Sequence, residues 1–145
     1  EDARSRNRNA TAARVKDAEL AYLQILAKAQ PGDRNLALRI RGVLLTAMSL
    51  WQQAKEPAKA VEATKKLAEL AIQPRLDFPQ IALTLTRCAA LVQKDEKLKE
   101  SYLRQAVEAV KKAIAHGARA SSFQRSSSYS PLWDRIDFKA VINNK

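Results

Sequence analysis

Two side chains in this sequence have the chemistry of a nucleophile or a metal ligand, the thiol of Cys88 and the imidazole of His116, and each is the only one of its type. A nucleophilic thiol needs a base beside it, and a zinc site needs several Cys and His ligands. Cys88 lies in an apolar run where a small thiol packs well, and His116 precedes Gly117 at a predicted helix end, where an imidazole interacts favourably with the helix C-terminus. There is also no glycine-rich phosphate loop. We therefore expect no enzymatic activity, no metal and no cofactor.

A serine-rich segment is the other candidate for chemistry. Residues 121–130 contain six serines, with Arg119 and Arg125 beside them. A phosphate added to one of these serines would pair with the nearby guanidinium groups. The sequence leaves this modification open, and the expected structure is a solvated loop.

The chain is strongly basic, with 26 Lys and Arg against 15 Asp and Glu and a net charge of +11. Such a charge suits nucleic acid or an acidic protein surface. However, no run of Lys and Arg exceeds two residues, and most aromatic residues fall on or beside apolar stripes rather than among the basic residues. A protein or peptide partner is therefore the first expectation, and nucleic-acid binding is the alternative.

Apolar residues recur at spacings of three and four, which predicts five main helices. The first stripe is formed by Val15, Ala18, Tyr22, Ile25 and Ala29. Four further stripes begin near Asp33, Pro57, Pro79 and Leu98. With only three glycines and five prolines there is little turn chemistry for a sheet, so the predicted fold class is all-α. Residues 1–9 show no apolar face and are predicted to be a flexible basic tail.

Two segments, residues 34–73 and 78–117, each read as a helix, a turn and a second helix. The sequence Ala-Val-Glu-Ala-x-Lys-Lys occurs in the second helix of both, starting at Ala60 and at Ala106. Residues 10–30 are interpreted as part of an earlier, incomplete unit. Stacked units of this kind form helical-repeat arrays, in which small residues allow close helix packing. The predicted packing positions are Ala60, Leu67, Ala106 and Ala113, with Gly117 as a helix stop.

The predicted array is a right-handed, tetratricopeptide-like solenoid that ends in a short capping helix. Because 46 residues separate Ala60 from Ala106, a HEAT-like arrangement is the structural alternative. Residues 121–143 are predicted to form the cap that an open repeat end requires. Its expected members are Pro131, Leu132, Trp133 and Phe138, and an exposed docking tryptophan at Trp133 is the alternative.

The segment from about Ile81 to Ile142 resembles the C-terminal tetratricopeptide-like region of planctomycete serine/threonine protein kinases and related multidomain proteins. The likeness is carried by Arg87-Cys88-Ala89-Ala90, Tyr102 to Val107, Ala113 with Gly117, and Pro131-Leu132 with Arg135, Asp137 and Phe138. It covers less than half the chain. The sequence departs from the pattern at Ile136, where proline is usual, and at residues 126–128, where an acidic stretch is usual. The resemblance implies a non-catalytic accessory module and assigns no functional residues.

Together these observations predict one helical-repeat domain over residues 10–145 that acts as a protein–protein interaction or scaffolding module. No apolar stretch approaches the roughly 18 residues of a membrane span, so we expect no membrane insertion and a cytoplasmic location. Because the sequence does not begin with methionine, we expect it to be an excised part of a longer protein. A kinase domain or a membrane anchor would then lie elsewhere in that protein.

Overall fold

The computed structural model describes residues 3–144, of which 84% are helical and none lies in a strand. The all-α prediction is confirmed. The elements are α1 (Ala3–Ala29), α2 (Arg34–Gln53), α3 (Pro57–Leu70), α4 (Pro74–Leu91), α5 (Glu96–Ala115), α6 (Ala120–Arg125), a 3-10 helix (Ser127–Leu132) and α7 (Ile136–Asn143).

The helix starts follow from local chemistry. Asp33 caps α2, with its Oδ1 accepting a hydrogen bond from the backbone N–H of Leu36 at 3.1 Å. Asp95 caps α5 in the same way, accepting from Leu98 at 3.0 Å. Helices α3 and α4 instead begin with Pro57 and Pro74, whose fixed φ suits the first turn and whose missing N–H costs no helix bond there.

The chain divides into two compact units, one ending at Ile72 and the other beginning at Gln73. In the first unit α2 packs against both α1 and α3. In the second unit α4 and α5 form a hairpin, with the 3-10 helix against α4 and α7 against α5. The predicted helix-turn-helix segments thus correspond to α2–α3 and α4–α5. Their arrangement as a right-handed array stays a prediction.

The core of the first unit is built around Trp51 of α2, which is 2% exposed. The ammonium of Lys59 lies 4.4 Å from the centre of the Trp51 ring. The indole Nε1 of Trp51 lies 3.5 Å from Oδ1 of Asp17. Leu23, Leu44 and Leu67, one from each helix of this unit, are also fully buried. Three helices therefore contribute to one apolar core.

Helix α1 begins at Ala3, inside the segment predicted as a basic tail, and the flexibility of that segment stays a prediction. Residues 3–9 are helical although they form no apolar stripe. Once a helix has nucleated on its packed part, each further residue adds a backbone hydrogen bond, so a polar end can extend it. The hydroxyl of Thr11 follows this geometry and donates to the carbonyl of Asn7 at 3.0 Å.

The serine-rich segment is also more ordered than the loop that was predicted. Residues 120–132 form α6 and the 3-10 helix, in which Phe123 and Tyr129 are buried. Their rings meet edge to face at 5.0 Å, and the Tyr129 hydroxyl donates to the carbonyl of Pro79 at 3.0 Å. Two aromatic anchors therefore fix a segment that composition alone describes as a loop. Pro79 lies inside α4, which starts five residues earlier than predicted, at Pro74.

Candidate interaction surface on helix α1

Helix α1 carries apolar side chains on two opposite faces. Ala13, Leu20 and Leu23 are buried, at 0%, 3% and 0% exposure, and α2 packs against this helix. An α-helix turns by about 100° per residue, so the residues predicted as the core stripe lie on the opposite side. Of these, Val15, Tyr22 and Ile25 are 63%, 60% and 68% exposed, and Ala18 and Ala29 are exposed as well. The predicted burial of this stripe is wrong.

We call this exposed set, Val15, Ala18, Tyr22, Ile25 and Ala29, the α1 stripe. Its spacing is three, four, three and four residues, the pattern of the two core positions in a coiled-coil heptad. From the first to the last member the stripe spans about 21 Å along the helix axis. It is therefore a straight, narrow apolar line of the kind that a second helix covers.

The surroundings of the α1 stripe are basic. Continuing its spacing toward the helix start leads to Thr11, Arg8 and Arg4, all exposed. Arg14 and Lys28 flank the stripe and are exposed too. The helix carries six basic and two acidic residues in all.

Both acidic residues of α1 already have neighbours of complementary chemistry. Oε2 of Glu19 lies 3.6 Å from the ammonium of Lys16, one turn back on the same helix. Oδ1 of Asp17 lies 3.5 Å from the indole nitrogen of Trp51 in α2. The exposed side of α1 therefore combines an apolar line with a mainly positive border.

The four predicted repeat-packing residues on the helices are buried. Ala60 and Leu67 lie in the first unit at 0% and 1% exposure, and Ala106 and Ala113 lie in the second, both at 0%. Gly117 ends α5 with φ +101°, in the left-handed region that favours glycine. Each of these positions packs within its own unit.

The residues of the predicted cap lie in the second unit, and their role as the end of a repeat array stays a prediction. Leu132 and Phe138 are 0% and 3% exposed, whereas Pro131 is exposed and therefore not a packing residue. Trp133 is half-buried, and its indole Nε1 donates to the carbonyl of Phe123 at 2.8 Å. The alternative of a freely exposed tryptophan does not describe this side chain.

The arginine before α7 fastens the cap to the hairpin. The guanidinium of Arg135 donates to both carboxylate oxygens of Glu100 in α5, each at 2.8 Å, and to both oxygens of Asp137, each at 2.9 Å. Its side chain is 18% exposed. Hydrogen bonding to Arg135 lowers the pKa of Glu100, and Glu100 and Asp137 raise the pKa of Arg135 in turn.

Cys88 and His116, the two residues considered above for catalytic chemistry, both lie in packing environments. Cys88 is fully buried, and burial raises the pKa of its thiol to about 12, so it is protonated at neutral pH. The ring of His116 stacks on Phe78 at 6.2 Å between centroids, with 12° between the ring planes. Within residues 3–144, no three Cys, His, Asp or Glu side chains are grouped so as to hold a metal ion.

No protein-family model, no curated protein and no solved structure matches this chain. The described helices include none that is both long and apolar enough to cross a bilayer. Sequence reasoning found the five residues of the α1 stripe but placed them in the core, and the signal for the other face was the apolar set Ala13, Leu20 and Leu23.

Proposed function

We propose that this chain is a non-catalytic protein–protein interaction module that binds through the α1 stripe. The observation that supports the proposal is that α1 is apolar on two opposite faces and that α2 covers only one of them. Single exposed apolar residues are common on protein surfaces, but a continuous line of them along one helix is typical of a binding surface. The heptad-like spacing of this line fits a protein helix as the ligand.

A site-specific crosslinking experiment tests this function. We replace Tyr22 with a photoreactive phenylalanine analogue and irradiate cells that express the full-length protein. A discrete protein adduct is expected at this position, and it should disappear when Ile25→Asp is added. The matched control carries the same analogue at Gln24, which is exposed on α1 but lies off the stripe. Equal adducts at both positions, or none at position 22, would contradict the proposal.

Two earlier expectations fit this function without adding residues to it. The resemblance to planctomycete kinase regions would make the module an accessory part of a larger signalling protein. A cytoplasmic location would bring the module together with cytoplasmic protein partners. Both stay predictions, and the binding role proposed for the α1 stripe depends on neither.

Nucleic-acid binding is the second candidate, and one observation favours it. Arg4 and Arg8 are exposed one turn apart on the same side of α1, where both could contact neighbouring phosphates. We expect only weak, non-specific binding, with a Kd of about 10⁻⁴–10⁻⁶ M near physiological salt and a log-linear loss of affinity as salt is raised. Fluorescence anisotropy with a labelled duplex and a labelled single strand measures this. Sequence-selective binding at about 10⁻⁸ M would make nucleic acid the first choice.

A further inference from the structure

We propose that the partner element is an acidic amphipathic α-helix, which lays its apolar face on the α1 stripe and its acidic residues along the basic border of α1. This inference rests on the proposed function, because it names the chemistry of the ligand for the same surface. Its two parts, a helical shape and an acidic charge, follow from separate observations.

The shape of the stripe selects a helix. The five residues lie in line over about 21 Å, and the neighbouring rows on the helix surface are polar or small except for the half-buried Leu26. A second helix with apolar residues at heptad spacing can insert side chains between Val15, Tyr22 and Ile25, with the alanines Ala18 and Ala29 allowing close approach. The opposite face of α1 is occupied by α2, so the partner adds to the outside of the first unit.

The charge of the border selects an acidic helix. Arg8 and Arg4 lie about two and three turns beyond Val15 on the line of the stripe, and Arg14 and Lys28 flank it on one side. A helix that covers the stripe and continues in the same direction therefore passes over two arginines. Carboxylates at those positions would make charge-assisted contacts, whereas lysines would be repelled. The expected ligand has about two heptads of apolar positions and an acidic end.

A second copy of this chain fits the border less well. In a parallel pair, Arg4 and Arg8 would each face the same residue of the second copy, so like charges would meet. An ion pair between Arg14 of one copy and Glu19 of the other would form only in competition with the existing contact of Glu19 to Lys16. In an antiparallel pair that superimposes the two stripes, Arg14 would lie beside Lys28. Like charges meet in both arrangements, so self-association is an outcome of the test rather than the proposal.

An anionic membrane surface is also less well matched. Basic amphipathic helices bind membranes by burying a broad apolar face rich in large residues. The α1 stripe offers three large side chains, Val15, Tyr22 and Ile25, and two alanines. Because α1 is packed into a three-helix unit, it also cannot rotate to present more apolar surface. The membrane is therefore the competing outcome in the experiment.

The experiment uses designed peptides as probes of the full chain. The acidic peptide is a labelled helix of about four heptads, with leucine at both core positions and glutamate at the flanking positions. The matched peptide has the same leucines and lysine in place of each glutamate. Fluorescence anisotropy at about 150 mM salt should show the acidic peptide binding at least about tenfold more tightly than the basic one.

Variants of the protein assign the binding to α1. Ile25→Asp should weaken the acidic peptide by at least about tenfold, because it places a charge in the apolar line. Arg4→Glu combined with Arg8→Glu should remove most of the preference for the acidic peptide over the basic one. The control is Ile136→Asp, which changes a side chain that is 87% exposed in α7 and should alter nothing. Circular dichroism of each variant confirms that the helices are retained.

The outcomes separate this inference from the proposed function. If both peptides bind equally and Ile25→Asp weakens both, the acidic partner is refuted while the protein-binding function stands. If neither peptide binds and crosslinking at position 22 yields no adduct, both are refuted. Binding to vesicles of phosphatidylcholine with about one-fifth phosphatidylserine, lost in Ile25→Asp, would replace the acidic helix by a membrane. A dimer in sedimentation that Ile25→Asp dissociates would replace it by a second copy.

Discussion

Removing the guanidinium of Arg135 should loosen the cap from the second unit. This side chain is the point at which the segment before α7 is tied to α5, through two hydrogen bonds to Glu100, and to the first turn of α7, through two to Asp137. Arg135→Ala deletes all four. Arg135→Lys keeps the charge but cannot reproduce the planar, two-pronged contact, so it should behave more like alanine than like arginine.

The magnitude follows from how exposed the partners are. Side chains of Glu100 and Asp137 are 54% and 39% exposed, so solvent screens both pairs, although Arg135 itself is only 18% exposed. Exposed pairs contribute about 0–1 kcal/mol, and a bidentate geometry places the Arg135–Glu100 coupling near the upper end of that range. With the second carboxylate and the packed aliphatic stem included, Arg135→Ala should lower the free energy of unfolding by about 1–2 kcal/mol.

The same contact predicts a pH dependence. Because Arg135 holds the pKa of Glu100 below its ordinary value of 4.5, the folded protein binds this proton less readily than the unfolded chain does. The stabilisation is therefore full above the ordinary pKa and is lost as the pH falls through the lower pKa of the folded state. The difference in stability between the wild type and Glu100→Gln should shrink as the solution is acidified from about pH 6 to about pH 3.

Urea unfolding of the second unit measures both effects. The chain has two tryptophans, and Trp51 lies in the first unit, so a Trp51→Phe background leaves Trp133 as the reporter beside Arg135. A double-mutant cycle of Arg135→Ala with Glu100→Gln gives the coupling free energy. Lys111→Ala, which removes one exposed positive charge from α5, is the control. A coupling indistinguishable from zero, or an equal loss in Lys111→Ala, would refute the role assigned to this contact.

Three further substitutions or reagents test the packing of the second unit. Ala113→Leu should lower the unfolding free energy by about 1–3 kcal/mol, since Ala113 is fully buried and added methylene groups overpack the helix pair; an unchanged melting curve would contradict this. Gly117→Ala should lower the free energy of unfolding by about 1–2 kcal/mol, because alanine is strained at a φ of +101°. Steric clash adds nothing, since the new Cβ would meet only Arg75 at an ordinary 3.8 Å, and equal stability in thermal melts would contradict the strain. The thiol of Cys88 should resist a disulfide reagent at pH 8 in the folded protein and react once urea unfolds the chain, because burial raises its pKa to about 12. Fast reaction of the folded protein would contradict this burial and show that the helix pair opens around Cys88.

The sequence predicts the helices of this fold better than it predicts how they pack. Proline and aspartate at the helix starts act locally, so the beginnings of α2 and α3 can be inferred without tertiary contacts. Helices α4 and α5 begin five and two residues before the positions predicted from the apolar stripes. The shared Ala-Val-Glu-Ala-x-Lys-Lys stretch correctly indicates burial of Ala60 and Ala106. The division into two units after Ile72 is different, because it depends on tertiary packing within each unit and not on any local signal.

The cap illustrates an intermediate case. Leu132 and Phe138 can be predicted as buried because they are large and apolar, and both are. The order of residues 120–130 could not be inferred from composition, because six serines mask Phe123 and Tyr129, the two residues that anchor the segment. The contact of Arg135 with Glu100 was also missed, since it joins residues 35 positions apart that no motif connects.

Helix α1 shows why periodicity could not choose the buried face. Its apolar residues form two sets with helical spacing, and the set predicted to be the core is the larger one, with five members. Burial is decided instead by the partner, and α2 packs against the side that carries Ala13, Leu20 and Leu23. A helix that is apolar on opposite sides is typical of a position between two neighbours. The first unit covers only one side of α1, and the exposed α1 stripe on the other side therefore favours a second, external neighbour.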